Sequence, residues 1–140
     1  MTERTILVTG AAGFLGGPVL AALRSHAGRV VGMVRQDAQA AKVTTLGAEP
    51  VFADVTEPTS LVEAMAGVDA VIHLAAVSPD RDGLSMEMVN YRGTVNVLAA
   101  AKAARVSRLV QVVEIGADSR RAITFGRPDR RGKGVVDAEP

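Results

Sequence analysis

The sequence predicts a doubly wound α/β fold, a parallel sheet of about five strands in the order 3-2-1-4-5 with helices on both faces. Three observations predict it. Short β-branched runs alternate with longer helical patterns along most of the chain. The strand runs are hydrophobic almost without alternation, as parallel strands covered on both faces are. The first of them also ends in a glycine-rich turn that opens straight into a helical pattern.

The strand candidates are residues 5–9, 29–34, 49–53, 70–74 and 108–113. The first helix candidate, residues 14–26, sets Leu15, Val19 and Leu23 on one face at spacing four. Its Pro18 falls in the opening turn, where a missing N–H costs little. The second, residues 37–46, ends at Gly47, a residue suited to the position just past a helix. The third begins with Thr56 as N-cap ahead of Glu57 and Pro58, buries Leu61 and Met65, and stops at Gly67. The fourth and longest, residues 84–104, carries Met88, Tyr91, Val95 and Leu98 at helical spacing. Right-handed crossovers connect such units into one sheet.

Composition narrows the function classes. The 140 residues are 48% hydrophobic but only 3% aromatic, so the core is aliphatic. A formal net charge of +1 gives no bulk attraction to nucleic acid or to a membrane surface. The absence of cysteine excludes disulfides, thiolate catalysis and zinc–thiolate sites, and no metal site is expected. The run Ile6-Leu7-Val8 is too short for a signal peptide, and no stretch of about 18 apolar residues exists to span a bilayer. The expected compartment is the cytoplasm. After Val113 the texture changes. Residues 116–140 mix Arg120, Arg121, Arg127, Arg130, Arg131 and Lys133 with Asp118, Asp129, Asp137 and Glu139 among recurring Gly and Pro. They read as a poorly ordered tail, with a short strand over residues 122–125 as the alternative. The expected organisation is a dinucleotide-binding domain over residues 1–115 and a tail over 116–140.

The turn Thr9-Gly10-Ala11-Ala12-Gly13-Phe14-Leu15-Gly16 follows a strand and opens a helix, the context in which glycine spacing has meaning. Gly10 permits the tight turn, Gly13 lets backbone approach a pyrophosphate, and Gly16 lets helix and strand pack closely. The helix N-terminus then offers amides and a positive dipole end to phosphates. At the end of the second strand a carboxylate would hold a ribose 2′-hydroxyl, and an arginine a 2′-phosphate. The sequence there is Gly32-Met33-Val34-Arg35, with no carboxylate until Asp37. Arg35, helped by Lys42, favours NADP(H) over NAD(H).

Four segments carry a family resemblance over residues 1–113: the glycine turn; Ala53-Asp54-Val55; Val71-Ile72-His73-Leu74-Ala75-Ala76; and Asn90-Tyr91-Arg92-Gly93-Thr94-Val95-Asn96-Val97-Leu98. In order and spacing they resemble the N-terminal half of an extended or atypical short-chain dehydrogenase/reductase, the epimerase/dehydratase-like group. The resemblance implies a Rossmann fold. It implies that Asp54 and Val55 hold the adenine, that Leu74, Ala75 and Ala76 run beside the cofactor, and that Asn90 belongs to the site. With the turn residues Thr9, Gly10, Gly13, Phe14, Leu15 and Gly16, and with Arg35, these form the expected cofactor set. His73, in an apolar strand, reads first as structural and second as an acid/base candidate.

Members of that family that do redox chemistry carry a Tyr-x-x-x-Lys pair after the fifth strand and a Ser or Thr at the strand's end. Here the one tyrosine, Tyr91, falls in the fourth helix, and Glu114 stands at the Ser/Thr position. The sheet reads as truncated after strand five, by nature or by a shifted reading frame. The expected function is an NADP(H)-binding or sensing module. The alternatives are a reductase- or epimerase-like enzyme completed by a partner chain, a non-redox acid/base catalyst using Glu114, Asp80 or His73, and a nonfunctional fragment. An uncovered fourth helix and an open fifth strand imply a homodimer or a tight complex through those elements.

Overall fold

The computed structural model describes residues 3–77 and 85–112. Val113, Leu84, Asp80, Glu114, the boundary at 115 and the region 116–140 lie outside the described residues. Five parallel strands, β1 (Thr5–Thr9), β2 (Arg29–Val34), β3 (Glu49–Phe52), β4 (Ala70–His73) and β5 (Arg108–Gln111), pair in the order β3-β2-β1-β4-β5. This is the doubly wound Rossmann arrangement that the alternating pattern predicts. Helices α1 (Gly16–Leu23), α2 (Asp37–Thr45) and α3 (Pro58–Ala64) connect the first four strands. A π-helical segment, Glu87–Arg92, runs without a break into α4 (Gly93–Ala103).

Successive residues on each strand feed opposite faces. On one face Leu7, Val31, Met33 and Val71 pack with Leu61 and Met65 of α3 and Val97, Ala100 and Ala101 of α4. On the other, Val8, Val30 and Val34 pack with Leu20 of α1 and Val43 of α2. Both faces being covered explains why the strands read as continuous apolar runs. Far from the C-terminal edge of the sheet, Arg29 makes a two-pronged contact with Glu49, at 2.6 and 2.8 Å. The hydrogen bonds from Arg29 hold the exposed Glu49 carboxyl below its ordinary range. Among the described residues no helix is long and apolar enough to cross a membrane.

Several elements differ from the sequence reading. β3, β4 and β5 end at Phe52, His73 and Gln111, earlier than expected. α1 is shorter than residues 14–26, and its buried residues are Gly16 and Leu20; Val19 and Leu23 flank them, and Leu15 is exposed. Leu15 precedes the helix, so it lies outside the packed turn that spacing alone assigned to it. α3 starts at Pro58 with Glu57 in the cap position. Thr56 does not cap it, because its hydroxyl and amide both donate to Asp54 Oδ1 at 2.8 Å. The largest change is in the fourth helix. Met88 is 51% exposed and Val95 is also exposed, whereas Met86, Val89, Asn90, Gly93, Thr94 and Val97 are buried. Spacing alone does not say which face is buried: the packed face runs at the same helical repeat through Asn90, Gly93, Thr94 and Val97. Gly93 passes so close to Val55 that a Cβ there would lie 2.7 Å from its side chain, while the larger Met88 and Val95 are left outside.

The packing of α1 generates a direct test. Leu20→Ala should cost about 2–5 kcal/mol, the range for truncating a buried leucine, whereas Leu15→Ala should stay within about 0.5 kcal/mol. Urea denaturation of both variants checks the difference.

Candidate functional site

The C-terminal ends of β1, β2, β3 and β4 open into one cleft of about 250 Å³. Its floor and walls come from four successive loops. The β1–α1 turn supplies Gly10, Ala12 and Gly13; the end of β2 and the start of α2 supply Met33, Val34, Arg35 and Gln39. The segment after β3 supplies Ala53, Asp54 and Val55, and the segment after β4 supplies Ala75, Ala76 and Val77, with Val89 behind.

Backbone proximity builds the first wall. Gly10 sits at φ +64°, and a Cβ there would lie 2.8 Å from the amide nitrogen of Ala75. Any side chain would therefore push the β1 turn away from the β4 wall, besides straining the backbone. At Gly16 an added Cβ would overlap the Ala11 carbonyl, so only glycine lets α1 begin directly beneath the turn. The turn closes on itself through the Gly13 amide to Gly10 O, at 3.0 Å, and the Gly16 amide to Gly13 O, at 3.2 Å. The amides of Phe14 and Leu15 find no acceptor among the described residues. Together with the start of α1 they can receive an anion.

Charge is arranged at the other end of the cleft. The Arg35 guanidinium stands 3.8 Å from Asp54 Oδ2, both side chains being partly exposed. Gln39 accepts from the Arg35 amide at 2.8 Å and from the Gln36 amide at 3.2 Å, which fixes the chain's path from β2 into α2. Lys42 reaches back and donates to Ala12 O at 2.8 Å, tying α2 to the glycine turn. Asp54 is oriented by Thr56, and its own amide donates to Ser60 Oγ at 3.0 Å.

Of the residues expected from sequence, Gly10, Gly13, Arg35, Asp54, Val55, Ala75 and Ala76 come together in the cleft. Thr9, Phe14, Leu15, Gly16, Leu74 and Asn90 do not line it. Phe14 is 95% exposed and points away from the core. Thr9 is fully buried, and its hydroxyl accepts from the amides of Leu74 and Ala75, each at 3.1 Å. The Asn90 carboxamide grips Val77, accepting from its amide at 2.8 Å and donating to its carbonyl at 2.9 Å. His73 is buried between Thr9 and Thr94, with both ring nitrogens engaged, and does not line the cleft. Gln39, Met33, Val77 and Val89 went unnoticed in the sequence. Only Gln39 had a readable signal there, as the third residue after Gln36 at a helix start. Tyr91 lines a separate groove between α3 and α4, with Thr56, Met88, Arg92, Val95 and Asn96.

Comparison with known proteins agrees with this geometry. The NAD(P)H-binding family matches residues 10–138. The chain is 40% identical over 106 residues to a 4-hydroxy-2-methyl-3-oxo-4-farnesyl-3,4-dihydroquinoline-1-oxide ketoreductase of Stigmatella aurantiaca, covering 75% of this chain and 32% of that protein. It is 34% identical over 128 residues to a 2-alkyl-3-oxoalkanoate reductase of Shewanella oneidensis, covering 89% and 30%. Among solved structures, a triphenylmethane reductase of Citrobacter sp. superposes with a TM-score of 0.73 at 25% identity, over 94% of this chain and 44% of that one. The chain thus spans about a third of the length of the two curated relatives. With its glycine turn at the C-terminal end of β1 and its sheet order, it belongs to the NAD(P)H-binding family.

Proposed function

We propose that the cleft binds NADP(H) in preference to NAD(H), and that these 140 residues act as a cofactor-binding or sensing module. The observation that carries the choice is Arg35. It lines the cleft at the end of β2, where the sequence has no carboxylate before Asp37 to take a ribose 2′-hydroxyl. In this reading the free amides of Phe14 and Leu15 and the start of α1 receive the pyrophosphate. Arg35 receives the 2′-phosphate, with Lys42 adding positive charge from its anchor on Ala12. Asp54 and Val55 flank the adenine, and Ala75 and Ala76 leave room for the nicotinamide half. Thr9, Gly16, Leu74 and Asn90 serve by holding those walls.

When bound, the nicotinamide ring supplies hydride exchange. What the chain's own residues supply is binding and orientation. Its single tyrosine lies in the α3–α4 groove, and its buried histidine is occupied on both nitrogens. A second reading is favoured by the two relatives, whose names are those of reductases. There the cleft works in a reductase- or epimerase-like enzyme completed by a partner chain; Glu114 belongs to the separate alternative of a non-redox acid/base catalyst.

Self-association fits both readings. Met88 and Val95 on the fourth helix, and Val110 and Val112 at β5, are exposed apolar side chains; Val110 is 48% exposed. β5 is the terminal strand of the sheet among the described residues. An uncovered apolar face beside a strand edge favours a homodimer.

Calorimetric titration tests the cofactor choice. NADPH should bind more tightly than NADH, and Arg35→Ala should weaken NADPH about tenfold or more while leaving NADH nearly unchanged, since a charge-assisted contact contributes roughly 1.5–3 kcal/mol. Equal binding of the two cofactors by the unmodified chain would overturn it. Light scattering at tens of micromolar tests the assembly. A dimer is expected, and a monodisperse monomer would refute it.

A further inference from the structure

We infer that His73 is a positioning residue, locked as the neutral tautomer with its proton on Nε2, and that through Thr9 it sets where the β4 wall of the cleft stands. The inference rests on reading the cleft as a cofactor site. Its argument is a count of protons along a buried chain of hydrogen bonds.

The chain starts at α4. Thr94 Oγ1 lies 2.7 Å from the Asn90 carbonyl oxygen, which has no proton to give, so the Thr94 hydroxyl donates there. With its one proton spent, Thr94 Oγ1 faces His73 Nε2 at 3.1 Å as an acceptor, and Nε2 must carry the hydrogen. A neutral imidazole protonated on Nε2 has a bare Nδ1. Thr9 Oγ1 stands 2.6 Å from that nitrogen, so the Thr9 hydroxyl donates to it. Both lone pairs of Thr9 Oγ1 are then turned towards the amides of Leu74 and Ala75, which donate at 3.1 Å each. The Leu74 amide is shared with the Thr9 carbonyl at 3.3 Å, whereas the three side-chain protons among these contacts each have one place.

The other tautomer breaks this order at both ends. A proton on Nδ1 would point at an oxygen already accepting two amide hydrogens and would displace the proton of Thr9 itself. A bare Nε2 would face the lone pairs of Thr94. Imidazolium meets the first of these conflicts as well. Thr9, His73 and Thr94 are all nearly or wholly excluded from solvent, so water is not at hand to relieve either conflict.

The consequence reaches the cleft. The amides held by Thr9 belong to the segment that passes against Gly10, where a Cβ would already be 2.8 Å from Ala75 N. That same segment continues into Ala75 and Ala76, which line the cleft. The orientation of one imidazole proton thus decides whether Thr9 can hold the β4 wall at the distance that the glycine turn requires.

Two-bond nitrogen–proton correlation spectra of the histidine-labelled full chain, recorded without cofactor, read the tautomer directly; exposed His26 serves as the internal comparison. His73 should show a protonated Nε2 and a bare Nδ1. Thr9→Ser, which keeps the hydroxyl, should preserve this pattern and NADPH affinity within about twofold. Thr9→Val should lose the pattern and bind NADPH about tenfold more weakly, the scale of one buried hydrogen bond left unmade. A protonated Nδ1 in the unmodified chain, or a folded Thr9→Val that binds NADPH with unchanged affinity, would overturn the inference. Should Thr9→Val not fold, Thr94→Val is read in the same way, and an unchanged tautomer in it would overturn the lock. If the unmodified chain shows the expected tautomer but binds no NADPH, the cofactor reading fails and the positioning role with it, while the tautomer lock stands.

Discussion

Thr9 and His73 are paired residues at the last rung of the β1–β4 ladder, where strand order reverses from β2 on one side of β1 to β4 on the other. Beyond that rung the chains must separate, β1 into the glycine turn and β4 into the segment over Ala75. The backbone still pairs at the Leu74 amide, which donates to the Thr9 carbonyl at 3.3 Å, and the Thr9 hydroxyl carries the pairing on to the Ala75 amide at 3.1 Å. A crevice at such a reversal is where open parallel sheets bind ligands. Its width here is set by a side-chain hydrogen bond and by the absence of a Cβ at Gly10. Loss of either would leave the sheet intact and the cleft misshapen.

The helix behind the cleft works on the same walls from the other side. Asn90, in the π-helical segment, satisfies both the amide and the carbonyl of Val77, as a neighbouring strand would. Asn96, in α4, donates to the carbonyl of Val55 at 2.9 Å. One continuous helical element thereby braces the segments after β3 and β4 through carboxamides. Buried backbone groups left without partners are costly, so these two asparagines allow irregular chain to stand at the sheet's edge. Asn90 and Thr94, four residues apart, face inward together, and Met88 and Val95 face out towards the groove where Tyr91 lies.

Much of this was legible in the residues. The five strands, their order and the place of the cleft followed from continuous apolar runs and from a glycine turn between strand and helix. Arg35 was expected from its strand end and Asp54 and Ala75 from the family resemblance, and all three line the cleft. The rest depended on tertiary partners that no local pattern encodes. The apolar face of the fourth helix was assigned from its larger side chains, whereas Asn90, Gly93 and Thr94 belong to the buried one. Thr56 looked like a cap until the Asp54 carboxylate claimed its proton. Thr9 and Asn90 carry the right composition for a ligand site, yet the structure turns both against backbone of the segment after β4, 65 and 66 residues away for Thr9 and 13 for Asn90. Gln39 had a helix-start spacing to announce it, but its place on the cleft depends on how β2 and α2 meet.

Hydrogen–deuterium exchange of the full chain, with and without NADPH, tests most directly whether this cleft is the cofactor site. The account predicts protection concentrated at residues 10–16, around Arg35 to Gln39, at Asp54 and Val55, and at residues 75–77. The groove lined by Tyr91 and Val95 should exchange at its original rate. Protection centred on that groove, or none at the glycine turn under saturating NADPH, would contradict it.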